Sequence, residues 1–279
     1  MSTAKRPELP ELHPTPGGDR LYKVLGTLMR PVYATIGKVR FEGIENLPTN
    51  GSYIVVANHT TELDPVTIGY APFIKGALPR FLAKDSLFHA PVLGYIMRKL
   101  AHIPVVRGSA DARKSLDTAR GVLAAGGAVV IFPEGTTTTE ESNWPMPART
   151  GAARLALSTG VPVIPMAHWG DQEILGYEYY NDENGKQKYR RKVSLFPRKT
   201  VRVKIGKPMD VRTLVADPRP EAKHTRAELR DVTESMMAEV TRLLEELRGE
   251  KAPQGVWNAS ARRYEPAAES DTAQPKAGE

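Results

Sequence analysis

Five short runs of the chain are almost unbroken in apolar residues: YIVVA (53–57), RFLA (80–83), HIPVV (102–106), AVVIF (128–132) and VPVIPMA (161–167). A sixth, VRVKI (201–205), alternates instead. Unbroken runs of this length predict strands covered on both faces, and alternation predicts one covered on a single face. Helical candidates fill the gaps. Residues 65–76 follow Asp64, 87–100 follow Ser86, 110–125 end at a Gly-Gly pair, and 151–159 follow Thr150. Strands alternating with helices predict an α/β domain whose central sheet is mixed, largely parallel and flanked by helices. The last helix has the plainest signals. Thr225 and Glu228 form a capping box, and Leu229, Val232, Met236, Val240, Leu243 and Leu247 recur at helical spacing before a stop at Gly249. One apolar stripe of this kind predicts an outer helix lying over the sheet.

The rest of the chain frames that domain. Residues 1–19 are rich in proline and polar side chains and are expected to be a disordered tail. The motif-bearing core falls within about residues 40–210 of a domain spanning 20–250. Residues 251–279 are expected to be a polar, flexible tail, with Trp257 and Tyr264 its only docking candidates. The first twenty residues have no apolar core, so they do not read as a secretory signal. No run approaches the length of a conventional membrane-spanning helix.

Composition narrows the chemistry. With 279 residues, 41% apolar and 25% charged, the chain is ordinary for a globular protein. It contains no cysteine. That excludes disulfides, thiolate metal sites and a cysteine nucleophile, and fits a reducing compartment. The formal net charge is +7 and it is segregated. Five basic residues and no acid lie between Arg20 and Arg40, and ten basic residues and no acid between Lys186 and Lys207. Such patches suit anionic lipid, phosphorylated substrates or nucleic acid. No nucleic-acid recognition motif is present, and the aromatic residues are too sparse for a stacking platform.

The stretch ANHTTELDP (57–65) follows the first strand and places His59 and Asp64 five positions apart. On a continuous helix the two side chains would diverge by about 140°. Asp followed by Pro is, however, the signature of a helix start, so the chain is expected to turn between them. From spacing alone, a capping aspartate beside a turn histidine is the favoured reading. The alternative is a general base: a carboxylate fixes one imidazole nitrogen while the other takes a proton from a hydroxyl. No G-x-S-x-G elbow offers a serine nucleophile. Downstream, AVVIFPEGTTTT ends a strand at Glu134, Gly135 and Thr136, where α/β sheets place ligands. HIPVVRGSADAR ends another with Arg107 beside a helix start, a position suited to a phosphate and equally common for a surface ion pair.

Taken in order, these blocks resemble the glycerolipid acyltransferase family, of which 1-acyl-sn-glycerol-3-phosphate acyltransferase is the typical member. The family's N-H-x-x-x-x-D block is seen as NHTTELD, its arginine-closed strand as IPVVR, its F-P-E-G-T block in full at 132–136, and its V-P-[IV]-x-P run as VPVIP. The resemblance implies a glycerolipid acyltransferase-like fold and transfer of a fatty acyl group from acyl-CoA or an acyl-carrier protein to a lysophospholipid hydroxyl, giving phosphatidic acid when the acceptor is 1-acyl-sn-glycerol-3-phosphate. It implies His59 and Asp64 as the catalytic pair. Arg107, Glu134, Gly135, Thr136 and Arg149 are implied to hold the glycerol-phosphate end, with no metal and no cofactor beyond the thioester co-substrate. It further implies peripheral or monotopic attachment to an anionic membrane surface at the cytoplasmic face. One departure bears on the acceptor. The family usually follows F-P-E-G-T with Arg-Ser, whereas here Thr137 and Thr138 stand there, and a lysine the family carries near the next helix is Arg149. The other readings are a related enzyme acting on a different lysolipid or alcohol, and a non-catalytic protein that binds anionic lipid.

Overall fold

The computed structural model describes residues 18–106, 111–183 and 187–266. Its elements are α1 (Gly18–Ile36), β1 (Gly37–Glu42), β2 (Tyr53–Ala57), α2 (Asp64–Ile74), β3 (Arg80–Lys84), α3 (Pro91–Lys99), β4 (Ile103–Val105), α4 (Asp111–Ala124), β5 (Ala128–Ile131) and α5 (Gly151–Thr159). They continue with β6 (Val163–Trp169), α6 (Asp171–Ile174), β7 (Leu175–Asn181), β8 (Gln187–Val193), β9 (Lys199–Ile205), α7 (Arg226–Arg248), β10 (Val256–Asn258) and β11 (Arg263–Glu265).

Seven strands form one sheet in the order β1-β9-β6-β2-β5-β3-β4. β6, β2, β5, β3 and β4 run parallel, and β9 joins them antiparallel through β6, with β1 parallel to β9 at the edge. The mixed, largely parallel sheet expected from the sequence is therefore present, and all six apolar runs fall on its strands.

The unbroken runs have a simple cause. In β2, Ile54 and Val56 join Val129, Ile131, Leu155, Val232, Met236 and Val240 on the side covered by α4, α5 and α7. Tyr53, Val55 and Ala57 face the other way, packing with Ile68, Ala71, Phe81, Val130, Ile164 and Met166. Both faces are dry, so every position is apolar. In β9 only Val201, Val203 and Ile205 are buried, which explains the alternation there. α7 has the foreseen capping box, with Glu228 N donating to Thr225 Oγ1 and Thr225 N to Glu228 Oε2, and it ends at Gly249 with φ +70°.

Four local readings change. The span 87–100 is not one helix: a 3-10 turn (Asp85–His89) is followed by extended Ala90 and then α3. Pro91 forces the break, because the residue before a proline is pushed out of the helical region. The basic stretch 20–40 divides into α1 and the edge strand β1. Part of the second basic stretch forms, with Tyr177, Tyr179 and Tyr180, the antiparallel ribbon β7–β8. Finally, residues 251–266 of the expected polar tail carry structure. β10 and β11 pair, Trp257 is buried against Tyr264, and Arg262 bonds Glu141. Just before it, the Arg248 guanidinium lies between the rings of Trp144 and Trp169, 4.0 and 4.2 Å from their centroids. Residues 1–17, most of the expected N-terminal tail, lie outside the described residues.

Candidate active site

The parallel strands β2, β5 and β6 end side by side, and the loops leaving them meet at His59. β2 leads into Asn58, His59, Thr60 and Thr61. Asp64, the first residue of α2, is fully buried and points back into that loop rather than forward along its own helix. Its Oδ2 accepts the main-chain N–H groups of Thr60 and Thr61 at 2.5 and 2.9 Å, and its Oδ1 accepts both threonine hydroxyls. His59 Nδ1 lies 2.9 Å from the same Oδ2. The capping role read from Asp-Pro is thus replaced: Leu63 is the cap residue, with no side-chain cap bond, and the carboxylate closes the turn that brings the histidine to it.

Since an ionised carboxylate only accepts, Nδ1 of His59 is the protonated nitrogen and Nε2 keeps its lone pair. The ring stacks on Phe132 at 4.2 Å between centroids, which fixes its plane. Its main chain is held as well. Glu134 Oε1 accepts His59 N at 2.9 Å, and Thr138 N donates to His59 O at 2.7 Å.

Glu134 is only 4% exposed, and its second oxygen accepts Met146 N at 2.9 Å. Burial pushes its carboxyl up to about 8 against the opposing pull of the two amides, with nearby Asp64 adding to the rise. The sequence resemblance grouped Glu134 with the phosphate-facing residues. The structure instead uses both its oxygens to tie the 132–146 loop to His59, and Glu134 does not line the groove described below.

A further layer lies behind Asp64. His168, fully buried on β6, places Nε2 3.4 Å from Asp64 Oδ2 and 3.0 Å from Asn58 O. Asn58 in turn clamps His168 through both main-chain groups, at 3.0 and 3.1 Å. His168 Nδ1 is 2.9 Å from Asp171 Oδ2, an ion-pair contact out of line for a hydrogen bond. Asp171 Oδ1 accepts the hydroxyls of Tyr33 and Thr67 at 2.6 and 2.8 Å. Burial alone would raise Asp64, but the charge and hydrogen bonds of His168, then of His59, hold its carboxyl far below the usual range. Burial would likewise depress His168, yet Asp64 and Asp171 hold it well above an ordinary histidine.

His59 opens onto a groove of about 1480 Å³, larger than the roughly 300–1,000 Å³ of common small-molecule sites. Its apolar lining includes Leu25 and Met29 of α1, Val66 and Phe73 of α2, and Leu93 and Met97 of α3. Its basic lining includes Arg113, Arg120, Arg149, Arg154 and Lys223. Gly135, Thr136 and Thr137 line it too. Gly135 has φ +74°, and a Cβ there would sit 3.1 Å from Arg149 Nε. Glycine therefore lets the loop turn and gives the arginine room. Arg149 N also donates to Pro133 O at 2.8 Å. So His59, Gly135, Thr136 and Arg149 line one groove, Asp64 is buried behind His59, and Arg107 lies outside the described residues.

Asp171, Asn58 and the two loop threonines were not singled out from sequence, and neither was His168. The signal for His168 was there: one histidine inside the apolar run VIPMAHW must find buried partners.

The family model described as Acyltransferase matches residues 38–169. Over that span, just under half of its length, the chain is similar to the acyltransferase family. It is 29% identical over 153 residues to the 1-acyl-sn-glycerol-3-phosphate acyltransferase of Bacillus subtilis, covering 54% of this chain and 72% of that one. It is 32% identical over 142 residues to a chloroplastic protein of the same name from Brassica napus, covering 50% of this chain and 39% of the relative. The chain thus spans most of the bacterial protein's length but under half of the plant one's. Among solved structures, the 1-acyl-sn-glycerophosphate acyltransferase of Thermotoga maritima shares the fold. Its TM-score is 0.55 at 24% identity, over 85% of this chain and 84% of that one. Every block that carries the resemblance up to His168 falls inside the matched span.

Proposed function

We propose that this acyltransferase moves a fatty acyl group from a thioester, acyl-CoA or acyl-carrier protein, onto a hydroxyl of 1-acyl-sn-glycerol-3-phosphate, releasing phosphatidic acid and a free thiol. The observation that carries this is the His59–Asp64 contact, with His59 opening onto a groove lined by both apolar and cationic side chains. His59 Nε2 takes the proton of the attacking hydroxyl, Asp64 balances the imidazolium, and the hydroxyl oxygen bonds to the thioester carbon. Collapse of the tetrahedral intermediate expels the thiolate, which recovers the proton from His59. The acyl chain lies along the apolar lining, and Arg149, with Gly135 and Thr136, receives the acceptor's phosphate. Arg107 belongs to the same phosphate-binding set by its place in the motif.

Among the described residues no helix is long and apolar enough to cross a membrane. α1 exposes Val24, Leu28 and Met29, and α3 exposes Val92, Leu93 and Tyr95, all on helices that contribute apolar lining to the groove. With the basic residues of α1 these suit peripheral docking on an anionic surface, the cytoplasmic face of the membrane. A second acceptor class is favoured by one residue. Thr137 stands where the family has a cation, so a lysolipid with a less charged head fits the same groove.

Thiol release from acyl-CoA and from acyl-carrier protein, measured with and without lysophosphatidic acid, tests the reading. Acceptor-dependent release that disappears in His59→Ala supports it. Near-normal turnover in folded His59→Ala protein sinks the mechanism, and no acceptor-dependent release with any of a panel of lysolipids sinks the activity.

A further inference from the structure

The scheme above leaves His168 unused, and its surroundings fix its charge. Nε2 faces two acceptors, the Asn58 carbonyl oxygen at 3.0 Å and Asp64 Oδ2 at 3.4 Å, so it carries a hydrogen. Nδ1 faces Asp171 Oδ2 at 2.9 Å. The other oxygen of Asp171 faces the Tyr33 and Thr67 hydroxyls, and a hydrogen on Nδ1 is what lets the remaining carboxyl oxygen sit against the ring at that distance. Neither ring nitrogen has a lone pair to offer. Asp64 and Asp171 are both at 0% exposure and reach the same ring from opposite sides. Two buried anions at that range are tolerated only with a cation between them. The titratable groups that surround the ring are Asp64 from α2, Asp171 from α6, Tyr33 from α1, Glu134 after β5, and His59 across Asp64.

We propose that His168 is a permanently protonated positioning residue, a buried imidazolium that keeps Asp64 ionised, turned toward His59, and only moderately attractive to the His59 proton. This rests on the transfer reading given above. A base must be neutral before attack and cationic after it. A lone buried carboxylate on Nδ1 would hold the proton on His59 too tightly. A fixed positive charge on the far side of the same Oδ2 offsets part of that pull, while the clamp by Asn58 keeps β6 in register with the histidine loop.

The sign follows. Removing the charge leaves His59 more easily protonated, so the acid limb of the pH–rate profile moves to higher pH. In folded His168→Gln the limb of kcat/KM is expected to rise by on the order of one pH unit. The ring titration of His59, followed by NMR on the same variant, should move in the same direction. Asp171→Asn is the second variant. It takes away the anion at Nδ1, the His168 ring loses its proton, and the His59 titration again rises. If the His168 ring stayed charged, losing the Asp171 anion would lower the His59 titration instead. In the wild-type chain, nitrogen-15 NMR of the slowest-exchanging ring should show both nitrogens protonated from mildly acidic to mildly alkaline pH. A neutral tautomer at neutral pH overturns the proposal. So does an unchanged or lowered His59 titration in folded His168→Gln, or an unchanged one in folded Asp171→Asn. The NMR arms need no turnover, so an absence of transfer in the wild type counts against the activity alone.

Discussion

Glu134 holds His59 by its backbone: Oε1 accepts the His59 N–H at 2.9 Å while Oε2 accepts that of Met146. The acidic residue of the F-P-E-G-T block is therefore a brace between two loops, and its place in the motif reflects what a buried carboxylate does best, which is to satisfy two main-chain donors at once.

Glu134→Gln tests the brace. Glutamine has one acceptor oxygen, so its amide must point at an N–H that it cannot receive. The unsatisfied donor costs about 1–3 kcal/mol of stability. The shift it imposes on His59 lowers turnover by about 10²-fold. Urea unfolding and thiol release on the same preparation check both. Full activity with unchanged stability would rule the brace out.

The same residue sets a pH dependence. Folded Glu134 keeps its proton up to about 8, whereas the unfolded chain gives it up near the ordinary 4.5. The folded state binds the extra proton across that window, so stability declines as pH rises through it, by at most about 1.4 kcal/mol per pH unit. Asp64 acts in the opposite sense and lower down: its contribution is present above the ordinary carboxylate value of 3.8 and is lost below it. His168 is also lost with rising pH, so the comparison needs Glu134→Gln as reference. The stability advantage of the wild type over this variant should shrink between about pH 4.5 and 8. An advantage that stays constant there contradicts the raised carboxyl.

Arg149 and Thr137 bear on the acceptor. Arg149→Ala should raise KM for lysophosphatidic acid about tenfold or more with kcat little changed, as expected for a group binding the phosphate in ground and transition states alike. Thr137→Arg, restoring the family's usual cation, should lower that KM for the phosphate-headed acceptor and leave uncharged acceptors unaffected. Equal effects on both acceptor classes would remove phosphate contact as the explanation.

Membrane docking predicts a fourth behaviour. Leu28 is 58% exposed on α1. Leu28→Asp should weaken sedimentation with anionic vesicles several-fold, while acyl transfer from a water-soluble short-chain thioester to a soluble acceptor persists. Wild-type binding should fall as salt rises through roughly 0.1–1 M, where screening shortens from about 10 to 3 Å. Binding indifferent to both salt and the substitution would place docking elsewhere.

Much of this site is legible in the linear sequence because it is local. His59 and Asp64 lie in one loop, and the apolar runs that carry the sheet are long enough to read. What was missed depends on long separations or on a lack of pattern. His168 meets Asn58 across 110 residues, and nothing near it in sequence names its partners. β1 is short and sits in a basic stretch with no apolar run to mark it. β7 and β8 pair only with each other, so their exposed faces carry no apolar rhythm to find. Glu134 was placed in the right loop with the wrong task, since a motif gives the position of a carboxylate but not the direction of its oxygens.

Tyr33 belongs to α1, the helix that lines the groove with Leu25 and Met29, yet its hydroxyl rests 2.6 Å from Asp171 in the deepest part of the protein. On the proposed reading, the face offered to lipid and the carboxyl behind His168 are therefore joined through a single helix, so α1 cannot shift without disturbing the Tyr33–Asp171 bond.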